Sequence, residues 1–199
     1  MSVLHSNSIA PSRASEAAAT DSFDVGGTGF ELSSFEAGDA AALLDWVKTP
    51  EDLHLLAPKT DWPLSVEKVC GWLGSRCQGY CLRMLPGREI VGYGEVNHVV
   101  GDVAELWLGH VIVDPARRGC GLGCVLVRAL LARAFHARNA KRVALIVFPE
   151  NVTAVNCYVR SGFRAVGSER HRCGPRGGFE TLRRFEITRS EFRDETAPR

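Results

Sequence analysis

A glycine-rich stretch, Arg118-Gly-Cys-Gly-Leu-Gly123, is the segment of this chain best suited to chemistry. It follows the run Val111 to Val113, which is typical of a strand, and it precedes an apolar pattern typical of a helix. The first turn of a helix has unpaired backbone N–H groups and a partial positive charge, and glycines allow an oxyanion to approach the backbone closely. The spacing therefore predicts a phosphate-binding turn, with Arg117 and Arg118 adding formal charge.

Two common phosphate-binding motifs do not match this turn. A Walker loop requires Lys and then Ser or Thr after its last glycine, but Gly123 is followed by Cys124. The dinucleotide fingerprint requires a third glycine, and the two possible frames place Cys124 or Leu126 there. The strand predicted at 143–148 also contains no acidic residue for a ribose. A P-loop-type nucleotide binder is therefore disfavoured.

Two motifs together resemble the GNAT superfamily of N-acetyltransferases. The pattern Arg-x-x-Gly-x-Gly, at Arg118, Gly121 and Gly123, is similar to the acyl-CoA loop of that family. The stretch from Asn151 to Phe163, with Tyr158 and Gly162 at the family's spacing, resembles its next helix and turn. The resemblance is close over 105–163 and extends over 28–187.

The resemblance implies that acetyl-CoA is the co-substrate, with no metal. Backbone groups of Val111 and Val113 would bind the pantetheine arm like an added strand, and N–H groups from Arg118 to Gly123 would bind the pyrophosphate. Asn151 would contact the same arm, cap a helix, or do both. The expected cofactor-binding residues are Val111, Ile112, Val113, Arg118, Gly119, Cys120, Gly121, Leu122, Gly123, Asn151 and Tyr158.

The resemblance also implies the catalytic roles. Tyr158 matches the family position that protonates the departing thiolate, and its alternative is a core tyrosine. A backbone N–H near Val111 would stabilise the oxyanion. Glu105 is the first candidate for the general base, Glu95 the second, and His110 lies on the same two predicted strands. A register slip would reverse which face each side chain occupies, so a water chain stays an alternative.

The order of predicted elements indicates an α/β fold with one mixed sheet and helices on both faces, a single domain of the GNAT-like acyl-CoA N-acyltransferase type. The apolar patterns predict strands at 28–34, 79–85, 90–99, 104–113, 143–148, 163–171 and 179–187, and helices at 39–47, 65–76, 122–138 and 151–161. The segment 49–63 is predicted to be a loop with at most one helical turn. Residues 1–27 are predicted to be a disordered extension, 28–187 the domain, and 188–199 a tail.

Composition limits the class of protein. Hydrophobic residues make up 45% of the 199 residues and the formal net charge is +1, which is typical of a globular chain and argues against nucleic-acid or membrane binding. The seven cysteines are an odd number, and they lack the paired spacing of a zinc site. We therefore expect reduced thiols, no metal and a cytoplasmic location.

The sequence thus predicts an N-acetyltransferase that moves an acetyl group to a primary amine by direct attack in a ternary complex. The alternative is a catalytically silent module of the same fold that binds acyl-CoA. The acceptor is expected to be a small-molecule or peptide amine, held by the regions 40–76 and 170–179. The chain is expected to be a monomer or a homodimer.

Overall fold

The computed structural model describes residues 20–99, 101–174 and 178–194. Within these ranges the strands are β1 Asp21–Val25, β2 Thr28–Ser34, β3 Cys77–Met84, β4 Glu89–Val99, β5 Asp102–Val113, β6 Arg142–Val147, β7 Arg164–Cys173 and β8 Gly178–Thr188. The helices are α1 Ala40–Trp46, α2 Pro50–Leu56, α3 Val66–Trp72, α4 Leu122–Ala132 and α5 Val152–Arg160. The described strands form one sheet in the order β1-β2-β3-β4-β5-β6-β8-β7.

The sheet is open between the neighbouring strands β5 and β6. β5 and β6 are parallel and pair only from Glu105 to Trp107 on β5. β5 then continues to Val113 and β6 to Val147, so the two strands diverge beyond this short ladder. The other neighbouring pairs of strands are antiparallel. The divergence leaves a backbone edge of β5 for a ligand.

Helices cover both faces of the sheet and define two apolar cores. On one face α4 packs its buried residues Leu126 and Leu130 against Val91 and Leu108 of the sheet. On the other face α1, α2 and α3 pack around Tyr93. The predicted α/β class, with a mixed sheet and helices on both faces, is confirmed.

The prediction that 1–27 is a disordered extension is wrong for its last part. β1 forms a hairpin with β2 through Gly26 and Gly27, whose φ values are 63° and 82°. Such a turn favours glycine because two successive residues have positive φ. Phe23 stacks on Phe30 with ring centroids 6.0 Å apart. Residues 1–19 lie outside the described ranges.

The loop predicted at 49–63 contains the two-turn helix α2. Thr49 caps it by accepting a hydrogen bond from the Asp52 N–H, and Pro50 occupies the first helical position. The helix predicted at 65–76 begins as expected after the Ser65 cap but ends at Trp72.

The helix predicted at 122–138 is divided in two. The α-helical part ends at Ala132 and one π-helical turn, Arg133–Ala137, completes it. The prediction that the domain ends at 187 and a tail begins at 188 is also wrong within the described residues. Phe192 packs on Phe135 with ring centroids 5.2 Å apart, so the chain returns to the core before residues 195–199, which lie outside the described ranges.

Candidate active site

The glycine turn has the backbone conformation that its sequence predicts. Gly119 and Gly121 have φ values of 84° and 83°, and Gly121 is the N-cap of α4. An L-residue with a side chain rarely adopts this conformation, so glycine is needed at both positions. The N-terminal N–H groups of α4 are therefore presented beside an open turn.

The two arginines at the turn differ in their contacts. Arg117 pairs with Glu89 and with Asp114, and these acidic side chains compensate its charge. Among the described residues, Arg118 has no ion-pair partner, and it lines the cleft next to the turn. Arg118 is therefore the arginine available to an anionic ligand.

A cleft of about 630 Å³ lies between the end of β5, the first turn of α4, α5 and α2. All but one of the predicted cofactor-binding residues line it: Val111, Ile112, Val113, Arg118, Gly119, Gly121, Leu122, Gly123, Asn151 and Tyr158. The exception is Cys120, which is exposed and whose thiol lies 3.9 Å from the Arg118 carbonyl oxygen. The structure thus brings together residues from both sequence motifs.

Two residues of the second motif have well-defined surroundings. Asn151 caps α5, since its Oδ1 accepts a hydrogen bond of 3.2 Å from the Ala154 N–H. Tyr158 is buried, packs edge-on against Phe163 and lines the cleft. Burial, with a smaller contribution from Cys157, raises the pKa of Tyr158 above its ordinary value. Tyr158 therefore keeps its proton at neutral pH.

A bulge in β5 lies where the strand begins to diverge. His110 and Val111 together face Gly94 of β4, because the register passes from the Glu95–Gly109 pair to the Tyr93–Ile112 pair. His110 has a φ of 43°, unusual for a residue with a side chain. A bulge leaves one residue outside the strand ladder, and Val111 of this bulge lines the cleft. A Cβ on the neighbouring Gly109 would lie 2.7 Å from Asn97 Nδ2 and 3.1 Å from Glu95 Oε2, so a side chain there would displace these groups.

The bulge places His110 against a buried carboxylate. The Nδ1 atom of His110 lies 2.7 Å from Glu95 Oε1, and the same oxygen accepts a hydrogen bond of 2.8 Å from the Tyr93 hydroxyl. The Cys77 thiol lies 3.2 Å from Glu95 Oε2. Burial alone would raise the pKa of Glu95, but the hydrogen bond and charge of His110 and the bonds from Tyr93 and Cys77 outweigh it and lower that pKa. Glu95 is therefore an ionised, fully enclosed acceptor.

Glu105, the first candidate for the base, has a different environment. Its carboxylate is buried, pairs with Arg142 and Arg184, and accepts a hydrogen bond from Trp107 Nε1. The two guanidinium groups compensate the charge of this carboxylate, and Glu105, like Glu95 and His110, is not among the residues that line the cleft. These contacts are those of a structural ion-pair network between β5, β6 and β8.

Sequence reasoning assigned the region 40–76 to the acceptor, but it predicted a loop where the helix α2 lines the cleft. Asp52, Leu55 and Leu56 of α2 line this cleft. The signal was available, because Thr-Pro-x-Asp at 49–52 is a typical helix start. Cys124 and Cys157 also line the cleft and were not predicted as site residues.

A sheet that opens beside a glycine-capped helix, with a buried tyrosine on the next helix, is the arrangement that the two sequence motifs predicted. The family model described as "Acetyltransferase (GNAT) family" matches residues 39–163, and the chain belongs to this family. The GNAT fold predicted from the two motifs is thereby confirmed.

Three similar proteins fit this assignment. Aminoglycoside N(6')-acetyltransferase type 1 of Serratia marcescens is 28% identical over an alignment of 121 residues, and the match covers 52% of this chain. The match spans about 60% of the length of that relative. Spermidine N-acetyltransferase of Vibrio cholerae, in complex with CoA and spermine, superimposes with a TM-score of 0.67 at 17% identity over 81% of this chain and 96% of that one. Mycobacterium smegmatis RimJ, in complex with CoA-disulfide, superimposes with a TM-score of 0.68 at 21% identity, over 86% of this chain and 88% of that one.

Within 20–99, 101–174 and 178–194, no helix combines the length and apolarity needed to cross a bilayer. In the same ranges no group of three His, Cys, Asp or Glu side chains is arranged to hold a metal ion.

Proposed function

We propose that this chain is an acetyl-CoA-dependent N-acetyltransferase that acts on a primary amine by direct attack in a ternary complex. One observation carries the proposal. The divergence of β5 from β6, the glycine cap of α4 and the buried Tyr158 all border the same cleft. The acetyltransferases named above for aminoglycosides and spermidine act on amines, which supports an amine acceptor here.

The residues of the cleft suit coenzyme A. The N–H groups of the turn at Gly119–Gly123 bind the diphosphate, and the uncompensated Arg118 adds charge. The edge of β5 at Val111 and Val113 binds the amides of the pantetheine arm, because β6 has already diverged there. Asn151 and Tyr158 face the same arm from α5.

The reacting end lies at the bulge. Bound acetyl-CoA supplies a thioester, whose carbonyl carbon is attacked by a neutral amine. The backbone N–H that the bulge at His110–Val111 removes from the strand ladder stabilises the oxyanion. Tyr158 donates its proton to the departing sulfur.

The contacts favour His110, oriented by Glu95, as the base. Glu95 is only 1% exposed, whereas the side chain of His110 is 26% exposed and closer to solvent. An ionised Glu95 accepts the Nδ1 proton of His110, and this assignment of the tautomer leaves the lone pair on Nε2. His110 Nε2 then takes the proton of the amine, and Glu95 orients the ring. The ion pairs of Glu105 argue against that role for it.

The acceptor approaches from the α3 side of the sheet. The His110 ring stacks against Trp72 of α3 with ring centroids 4.3 Å apart, and Trp72 is fixed by a 2.8 Å hydrogen bond from its Nε1 to Thr60 Oγ1. The amine therefore meets an aromatic wall beside the base. The sequence predicts an acceptor that is a small-molecule or peptide amine. The cytoplasmic location and the monomeric or homodimeric state also stay predictions of the sequence.

The proposal is tested by following free CoA thiol as acetyl-CoA is mixed with a panel of amines. The panel contains polyamines, aminoglycosides, amino acids and peptides with a free N-terminus. Turnover on at least one amine is expected, with CoA binding seen by calorimetry. CoA binding without turnover of any class of amine would favour the silent acyl-CoA-binding module. Binding of ATP in place of CoA would contradict both the enzyme and the silent module.

Gly121→Ala is expected to weaken CoA binding about tenfold. The space around a Cβ at this position is open, but the φ of 83° disfavours a side chain by about 1–2 kcal/mol, and relief of that strain reorients the N–H groups of the turn. Calorimetry gives the Kd. Gly27→Ala is the matched control, since Gly27 has a φ of 82° and equally open space in the β1–β2 turn. Equal CoA affinity in the two variants would contradict the assigned role of the turn.

A further inference from the structure

Two cysteine side chains face each other where α4 meets α5. Cys124 lies in the first turn of α4, and Cys157 lies in α5 immediately before Tyr158. Their sulfur atoms are 3.7 Å apart, and the Cys124 thiol also lies 3.8 Å from the Cys157 carbonyl oxygen. Both residues line the cleft, so a small reagent can reach the pair.

The packing around the pair is tight. A Cβ on Gly123 would lie 3.1 Å from Cys157 Sγ, so the glycine lets the first turn of α4 approach α5 closely. Burial, followed by the influence of Cys124, raises the pKa of Cys157 to about 12. Cys157 therefore remains a thiol at neutral pH, and the sulfur that reacts first is that of Cys124.

We propose that Cys124 and Cys157 form an oxidation-sensitive dithiol whose disulfide weakens CoA binding in the cleft. The oxidant is a hydroperoxide. The Cys124 thiolate attacks a peroxide oxygen, which cleaves the O–O bond and gives a sulfenic acid. The Cys157 sulfur then attacks Cys124 Sγ, the S–S bond forms and water leaves. With hydrogen peroxide, the two thiols lose two protons and two electrons, and the peroxide becomes two waters.

The disulfide changes the shape of the cleft. Its S–S bond is about 2.05 Å long, so the sulfur atoms must approach by about 1.6 Å from their present separation. Cys124 belongs to the turn whose N–H groups bind the diphosphate in the proposed function, and this part of the inference rests on that function. A displacement of this size is large compared with the tolerance of hydrogen bonds, so we expect CoA binding about tenfold weaker.

Thermodynamic linkage makes the effect reciprocal. If the disulfide weakens CoA binding tenfold, saturating CoA favours the dithiol by the same factor. For a two-electron couple this raises the reduction potential of the pair by about 30 mV. Bound CoA therefore protects the pair from oxidation.

The experiment uses the full chain carrying Cys120→Ser, because Cys120 is exposed and would react on its own. The protein is treated with hydrogen peroxide and digested without reduction, and mass spectrometry identifies linked peptides. Calorimetry measures the Kd of CoA before oxidation, after it, and after reduction with dithiothreitol. We expect a Cys124–Cys157 link, a roughly tenfold rise in Kd and recovery on reduction. Adding Cys124→Ser or Cys157→Ser should remove the response to peroxide, each variant being compared with itself.

The outcomes are separable. Absence of the Cys124–Cys157 link, or a link to another cysteine instead, overturns the dithiol whatever happens to CoA. A link with an unchanged Kd overturns the coupling to the cleft. If the reduced protein does not bind CoA, the coupling and the proposed function fail together, and the peptide map still decides whether the dithiol forms.

Discussion

Replacing Tyr158 with Phe is expected to lower kcat about 100- to 1000-fold while the Kd of CoA changes less than about threefold. The substitution removes only the hydroxyl, and the ring keeps its edge-on contact with Phe163. Among the described residues, no hydrogen-bond partner is present for this hydroxyl, so its loss leaves no buried group unpaired. The effect should therefore be confined to the proton that leaves with the sulfur.

The size of the effect depends on where the proton transfer occurs. In water a transfer from Tyr to a thiolate is uphill by about 2 kcal/mol, from ordinary pKa values of about 10 and 8.5. Burial raises the pKa of Tyr158 further. The departing sulfur, however, lies in the same cleft, where poor solvation destabilises its thiolate as well. Tyr158 is thus useful as an acid only while the carbon–sulfur bond breaks inside the closed site.

Steady-state kinetics on an accepted amine and calorimetry of CoA check this prediction. Tyr80→Phe is the control, since Tyr80 is a buried tyrosine whose hydroxyl donates to Gln78 Oε1 at 2.8 Å. It is expected to affect stability and not turnover. Equal kcat in wild type and Tyr158→Phe would make Tyr158 a core tyrosine, and an equal loss in both variants would indicate a general effect of removing buried hydroxyls.

The cofactor-binding side of the site was predictable because its determinants are local. Positive φ at Gly119 and Gly121, and the start of a helix directly after them, follow from short-range sequence. The cap at Asn151 and the position of Tyr158 on α5 are similarly local. Such features depend on few residues, so a motif specifies them without knowledge of the rest of the chain.

The base could not be chosen from sequence because its environment is made by distant residues. Glu105 meets Arg142 and Arg184, which lie 37 and 79 positions away in the chain. Glu95 meets His110 only because the bulge turns that side chain toward it. Strand alternation predicts neither contact, since a single added residue changes the face of all that follow.

The missed hairpin has a different cause. β1 carries only two apolar positions, Phe23 and Val25, so its hydrophobic pattern is weak. The stronger signal was the Gly26-Gly27 pair, which favours a two-residue turn between strands. Here the turn residues were more informative than the pattern of β1, the strand that precedes them.

His110→Ala is expected to lower kcat about 100-fold, and added imidazole should restore part of the activity. The substitution leaves a space beside Trp72, whose ring lies 4.3 Å from the His110 ring, and a free imidazole can occupy it. There it would accept the proton of the amine while Glu95 fixes its other nitrogen. Rescue by imidazole separates a base from a residue that only supports the fold, because a structural defect does not respond to a proton acceptor.

The measurement is kcat at rising imidazole concentration, for His110→Ala and for Glu95→Gln. We expect rescue in the first variant and little in the second, whose own imidazole remains in place but has lost the carboxylate that orients it. His136→Ala is the matched control, since His136 forms a comparable 2.9 Å contact with Asp194 and does not belong to the bulge of β5. Loss of activity in His110→Ala without rescue, together with full activity in Glu95→Gln, would contradict the pair and favour proton removal by water. Because the pKa of Glu95 is lowered, its carboxylate is ionised at neutral pH. An activity that required a protonated Glu95 would therefore also contradict the role of the Glu95–His110 pair.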